Sequence, residues 1–119
     1  MARTVMPIAA LFLLGLGCGY ASAETRCGWL HNPTPANWWL TDTEATWTIM
    51  TQGGPEPPGF EHVADISRKR FVGTNRNYGY ACACIGGEFD VSAGKVVRIT
   101  AFKQMPLRVC RSNRALSKP

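Results

Sequence analysis

Four cysteines, Cys27, Cys82, Cys84 and Cys110, are the residues of this chain with the widest chemical repertoire. Reduced, they could hold zinc or copper(I), with His31 as a further ligand. A lone reactive thiol beside a histidine could act as a nucleophile. Paired, they would be inert staples. The spacing favours staples. Cys82 and Cys84 form Cys-x-Cys, which lacks the two-residue gap of common zinc knuckles, and no Cys-x-x-Cys redox motif accompanies a βαβ pattern. The reading is therefore two disulfides, no catalytic residue, no metal and no cofactor.

The compartment supports that reading. Arg3 opens a positive segment, Val5 to Leu16 is apolar and uncharged, and Ala21-Ser22-Ala23 is a small-residue cleavage pattern, so residues 1–23 read as a secretory signal peptide. The apolar run falls short of the roughly 20 residues that a membrane span needs, and the mature chain carries no other candidate span. Cleavage after Ala23 also removes Cys18, turning an odd count of five cysteines into an even four, and even counts suit disulfide frameworks in exported chains. A competing reading takes Leu14-Gly15-Leu16-Gly17-Cys18 as a lipobox with Cys18 acylated, although Gly15 stands where a bulky residue is favoured.

Residues 24–119 then form a single small domain with a basic C-terminal tail. The whole chain has a net charge of +5, of which the leader removes only Arg3. In an exported protein this balance points away from nucleic acid and towards cell-wall polymers, lipid headgroups or acidic protein surfaces. Two basic groups stand out: Arg68-Lys69-Arg70, and Arg108 with Arg111 near the C-terminus. All four tryptophans fall early, at Trp29, Trp38, Trp39 and Trp47. Trp47 alternates with Ile49 as a core residue would, and Trp29 is expected to pack on a disulfide. Trp38 and Trp39 are adjacent, so on a strand they face opposite sides; an exposed one could stack on a sugar or anchor a protein. Asp42 with Glu44, and Glu88 with Asp90, are carboxylate pairs that read as solvated turn residues. His31 and His62 sit in no catalytic motif.

These residues must be placed by strands. Ala45–Thr51, Tyr78–Ile85 and Lys95–Phe102 alternate in the period of two. Arg68–Thr74 is a weaker strand, and Leu107–Arg111 is expected to be a short final one. Asn32-Pro33-Thr34-Pro35 and the run from Gly53 to Gly59 are loops, and residues 88–95 make a hairpin turn. The fold class is all-β: a small disulfide-stapled sandwich or partly open barrel of about five short antiparallel strands.

On such a strand Cys82 and Cys84 share a face, roughly 6.5–7 Å apart, which disfavours bonding to each other. Each should pair with Cys27 or Cys110. With the hairpin centred between Ser92 and Ala93, Cys84 lies level with Ala101, and the last segment must fold across the cysteine face. That geometry leans to Cys84–Cys110 with Cys27–Cys82; the crossed pairing stays open.

Arg26-Cys27-Gly28-Trp29, Trp47-Thr48-Ile49, Tyr80-Ala81-Cys82-Ala83-Cys84 and Leu107-x-x-Cys110-Arg111 together resemble the bacterial family catalogued as domain of unknown function 4087. The resemblance implies a bacterial origin and a periplasmic or secreted location. The family has no assigned activity, so it transfers no site residue. The functional expectation is a non-enzymatic envelope protein, of inhibitor, immunity or adaptor type, that binds a protein partner or an anionic cell-wall component. Its candidate binding residues are Trp38, Trp39, Arg68, Lys69, Arg70, Arg108 and Arg111. The alternatives are a glycan- or peptidoglycan-processing enzyme, with Asp42 or Glu44 as acid, and a thiol metal site.

Overall fold

Small residues alternating with cysteines make one strand the centre of the molecule. The computed structural model describes residues 21–119; the body of the expected signal peptide and the lipobox cysteine Cys18 lie outside them. In β5 (Tyr78–Asp90), Ala81, Ala83, Ile85 and Phe89 are buried in the main core, while Cys82 and Cys84 face the other side. Strand β1 (Ala21–Thr34) runs antiparallel along one edge of β5, from Ala21↔Asp90 to Asn32↔Gly79. Two strands share the other edge. β6 (Lys95–Met105) pairs from Asp90 to Cys82, and β4 (Phe71–Asn75) takes over from Ala81 to Tyr78.

β2 (Asn37–Thr41) and β3 (Thr46–Met50) extend β1 into an antiparallel meander. β3 then meets β6 in parallel through the single pair Thr48↔Lys95. The order β1-β2-β3-β6-β5 returns to β1, giving a partly open five-stranded barrel with β4 appended. This is the topology of the OB type of Greek-key barrel. Leu30, Leu40, Trp47, Ile49, Val96 and Ile99 join the β5 residues inside it. The chain between β3 and β4 folds over one end, burying Ile66 in a 3-10 turn (Ile66–Arg68). Its entry needs Gly59: at φ 87° a Cβ there would lie 1.8 Å from the Ile99 carbonyl oxygen. Among the described residues no helix is long and apolar enough to cross a membrane.

The disulfides are Cys27–Cys84 and Cys82–Cys110, the crossed pairing rather than the favoured one. The cause is register. The β5–β6 hairpin starts as expected, at Asp90↔Lys95, but shifts between Glu88 and Phe89 and again between Gly86 and Gly87. Each shift adds one residue to β6, as a β-bulge does. Cys84 therefore faces Lys103, not Ala101, and Cys82 faces Met105. On the opposite edge Cys27 stands directly across from Cys84. The final segment also differs from expectation: Leu107–Arg111 is a short helix, α1, not a strand. Phe71 of β4 already occupies the β5 edge at Ala81, so beyond Pro106 there is no edge to extend along. The chain turns onto the outer face, where Cys110 reaches Cys82 with Cα atoms 5.8 Å apart.

Strands β1 and β2 are the elements that local patterning underestimates. Pro33 does not break β1, because it falls where the β1–β2 register shifts between His31 and Thr34, a position that tolerates proline. The turn behind it is held by Asn32, whose Nδ2 donates to the carbonyl oxygens of Thr34 and Asn37. The weak strand expected at 68–74 is shorter and later, at Phe71–Asn75.

Candidate functional site

The barrel has two ends and one decorated outer face, and charge is divided between them. At one end Arg26 is enclosed by carboxylates. Its Nη1 donates to Asp42 Oδ2 at 2.8 Å and to Glu44, and its Nε and Nη2 donate to Glu24. Its guanidinium carbon lies 4.2 Å from the centre of the Trp47 ring, with Phe89 at 5.4 Å. Asp42 is not the solvated turn residue expected. It is 9 % exposed, and its Oδ1 accepts from the backbone N–H groups of Glu44 and Ala45, closing the β2–β3 turn. Burial pushes the Asp42 carboxyl up, but Arg26 and the two N–H groups outweigh it and hold the carboxyl below its ordinary value. Burial likewise opposes the Arg26 charge, and the carboxylates overcome it and raise its pKa.

This gives the Arg26-Cys27-Gly28-Trp29 motif a structural reading, residue by residue. Arg26 plugs the barrel and Cys27 bonds Cys84. Gly28 lets β2 approach, since a Cβ there would lie 2.0 Å from the Thr41 carbonyl oxygen. Trp29, 2 % exposed, packs with Cys82, Cys110 and Leu116. The alternating Ala81-Cys82-Ala83-Cys84 puts alanines in the core and both sulfurs outside it. All four cysteines among the described residues are bonded, so these sulfurs are not free as thiolate ligands or nucleophiles.

The outer face presents a different arrangement. Cross-strand register sets Trp39 on β2 opposite His31 on β1, His31 opposite Tyr80 on β5, and Tyr80 opposite Val72 on β4. His31 stacks on Trp39 with ring centres 5.4 Å apart and leans on Tyr80 at 5.6 Å. Tyr80 in turn meets Trp29 edge-on at 5.3 Å. The result is a row of half-buried rings across three strands. Burial lowers the His31 pKa below its ordinary 6.5, which favours the uncharged imidazole at neutral pH. The next line of residues, Trp29, Cys82 and Met105, is covered by α1 and by Leu116. Between the row and this cover lies a cleft of about 380 Å³, lined among others by Trp29, Tyr80, Arg111 and Lys118.

The two basic groups flank the end of β6. Gln104 Nε2 donates to the carbonyl oxygens of Ile66, Lys69 and Arg70. That clasp supports Arg70 at φ 54°, a left-handed conformation uncommon for a residue other than glycine. Three residues after Gln104, α1 begins and carries Arg108 and Arg111. Arg68, Lys69, Arg70, Arg108 and Arg111 are exposed and form no ion pair among the described residues.

Of the candidates read from sequence, Trp39 belongs to the aromatic row, and Arg111 to the cleft beside it. Arg68, Lys69, Arg70 and Arg108 are exposed on the segments that flank β6. Trp38 turns inward, edge-on to Phe60 at 5.2 Å and packed against the core. Sequence reasoning missed His31 and Tyr80. The available signal was the alternation Cys27, Trp29, His31, which places His31 on the cysteine face, as Tyr80, Cys82 and Cys84 are placed on theirs.

No curated protein and no solved structure matches the chain. The sequence pattern that defines the family described as Protein of unknown function (DUF4087) matches residues 21–117, and the chain belongs to that family.

Proposed function

We propose that this is an exported, non-enzymatic envelope protein whose outer face binds an anionic cell-wall polymer. The observation that carries the reading is the Trp39–His31–Tyr80 row with the cations Arg111 and Lys118 at its margin, in the cleft that Tyr80 lines. Ring faces suit the C–H faces of sugars, and the margin suits their negative charge. A flat acidic protein surface would use the margin and leave the rings idle. By fold-level analogy, OB barrels bind oligosaccharides and oligonucleotides on the outward face of strands 2 and 3, and Trp39 stands there, paired with Thr48.

Export through a cleaved leader is part of the proposal. Two disulfides are in keeping with an oxidising compartment. Cleavage after Ala23 would shorten β1 by three residues and leave Glu24 opposite Gly87, with both bridges retained. An acid-catalysed alternative would need a carboxyl raised towards neutrality. Asp42 is shifted the other way and is committed to Arg26.

Cosedimentation with purified peptidoglycan or with a polyuronate tests the reading. Trp39→Ala should weaken binding about tenfold, a loss of about 1.4 kcal/mol, and added salt should weaken it further. Polymer binding unchanged by Trp39→Ala would refute the role given to the row. Selective capture of one envelope protein, with no polymer bound, would favour a protein partner instead.

A further inference from the structure

Resting on that reading, we infer that the cleft beside Tyr80 is a subsite for one acidic sugar unit, a single pyranose ring bearing a carboxylate. At about 380 Å³ the cleft is at the small end of the roughly 300–1,000 Å³ usual for ligand pockets, which suits a single ring rather than a folded peptide segment. Its floor is aromatic, Trp29 and Tyr80, and Leu116 adds an apolar wall. Its rim holds Arg111, Ser117, Lys118 and Pro119, and no aspartate or glutamate lines it. Arg111 and Lys118 have no ion-pair partner among the described residues. A neutral sugar would leave both cations unanswered, whereas a ring carboxylate meets them. The planar guanidinium of Arg111 matches a carboxylate's two oxygens, and Lys118 adds a point charge.

The Arg111 side of the rim is held in place rather than trailing. Cys110 is bonded to Cys82, which fixes the residue beside Arg111. Asn113 then closes the following turn, its N–H donating to the Cys110 carbonyl and its own carbonyl and Oδ1 accepting from Leu116 and Ala115. A fixed cation loses less freedom on binding than one on a loose tail. Tyr80 belongs to both the cleft and the aromatic row, so a polymer lying along the row would deliver one unit into the cleft.

The test titrates the exported protein with galacturonic-acid oligomers, neutral galactose oligomers of equal length, and galactose 6-phosphate, followed by calorimetry. The uronate should bind at least tenfold more tightly than the neutral oligomer. Arg111→Ala should remove about tenfold of that affinity, Lys118→Ala less, and Arg111→Lys should retain part of it. Equal affinity for neutral and acidic oligomers, or an unaltered uronate affinity in Arg111→Ala, overturns the subsite. If Trp39→Ala still weakens polymer binding in that case, the polymer reading survives without it. Tighter binding of the phosphate than of the uronate overturns the carboxylate assignment. Failure of the wild-type protein to bind any anionic polymer overturns the polymer reading itself.

Discussion

Replacing Arg26 by alanine should destabilise the fold by about 3 kcal/mol at neutral pH, near the lower end of the range for breaking a buried pair. The estimate rests on Asp42, not on Glu44. Asp42 has a side chain only 7 % exposed, so without Arg26 its charge is left in the barrel mouth with only backbone partners. Glu44 is 68 % exposed, and water screens that contact. The alanine also uncovers the faces of Trp47 and Phe89 that the guanidinium occupies. The effect carries a pH signature. Asp42 has a folded pKa below its unfolded value near 3.8, so its contribution is complete above that value and is lost as pH falls through the lower folded one. Urea melts should therefore show a wide gap between wild type and Arg26→Ala at pH 7, narrowing below pH 4. A gap that stays constant with pH would assign the loss to packing alone. Arg26→Met combined with Asp42→Asn should recover much of the stability, because neither charge is then stranded.

Removing the second bridge with Cys82→Ala/Cys110→Ala should cost about 3–4 kcal/mol, from a sequence separation of 28 and the loop entropy it withholds from the unfolded chain. Replacing both partners avoids a free thiol two residues from Cys84 on the same face, where exchange would scramble the result. The control is Cys27→Ala/Cys84→Ala. With a separation of 57, chain entropy gives a similar loss of about 4 kcal/mol. The two variants should nevertheless differ in kind. Cys82–Cys110 pins α1 over Trp29 and sets the position of Arg111, so its loss should expose Trp29, red-shift the fluorescence and reduce binding of acidic sugar. Cys27 and Cys84 face each other across a long ladder outside the cleft lining, so their loss should leave binding intact at a temperature where the protein remains folded. Equal loss of binding in both variants would contradict the separate roles given to the bridges.

These contrasts also mark what the sequence made legible. The period of two correctly put Cys82 and Cys84 on one face and tied their strand to both ends of the domain. It also placed Trp47 in the core, and proximity to Cys27 placed Trp29 on a disulfide. Connectivity was not legible, because it depends on two bulges; Gly86-Gly87 marks the place of one, but not which strand takes the extra residue, and nothing marks the other. Each moves β6 by one residue, and together they move the partner of Cys84 from Ala101 to Lys103. The fate of Leu107–Arg111 was hidden for a related reason: its conformation depends on β4, a strand more than thirty residues earlier, occupying the β5 edge. Asp42 looked like a turn residue and is one, but its second oxygen is claimed by Arg26 from a different strand. The aromatic row is the most non-local feature of all. His31, Trp39 and Tyr80 have no shared motif, and only the register of β1 against both neighbours aligns them.

Under the proposed function the ring-lined outer face, and not the carboxylate-ringed end, meets the ligand. The most direct measurement is an amide and side-chain NMR titration of the protein with soluble fragments of an anionic cell-wall polymer. Saturable shifts are expected at Trp39, His31, Tyr80 and Arg111, with Arg26 and Asp42 unmoved. Shifts centred on Arg26, Asp42 and Glu44, or none at any fragment concentration, would contradict that reading.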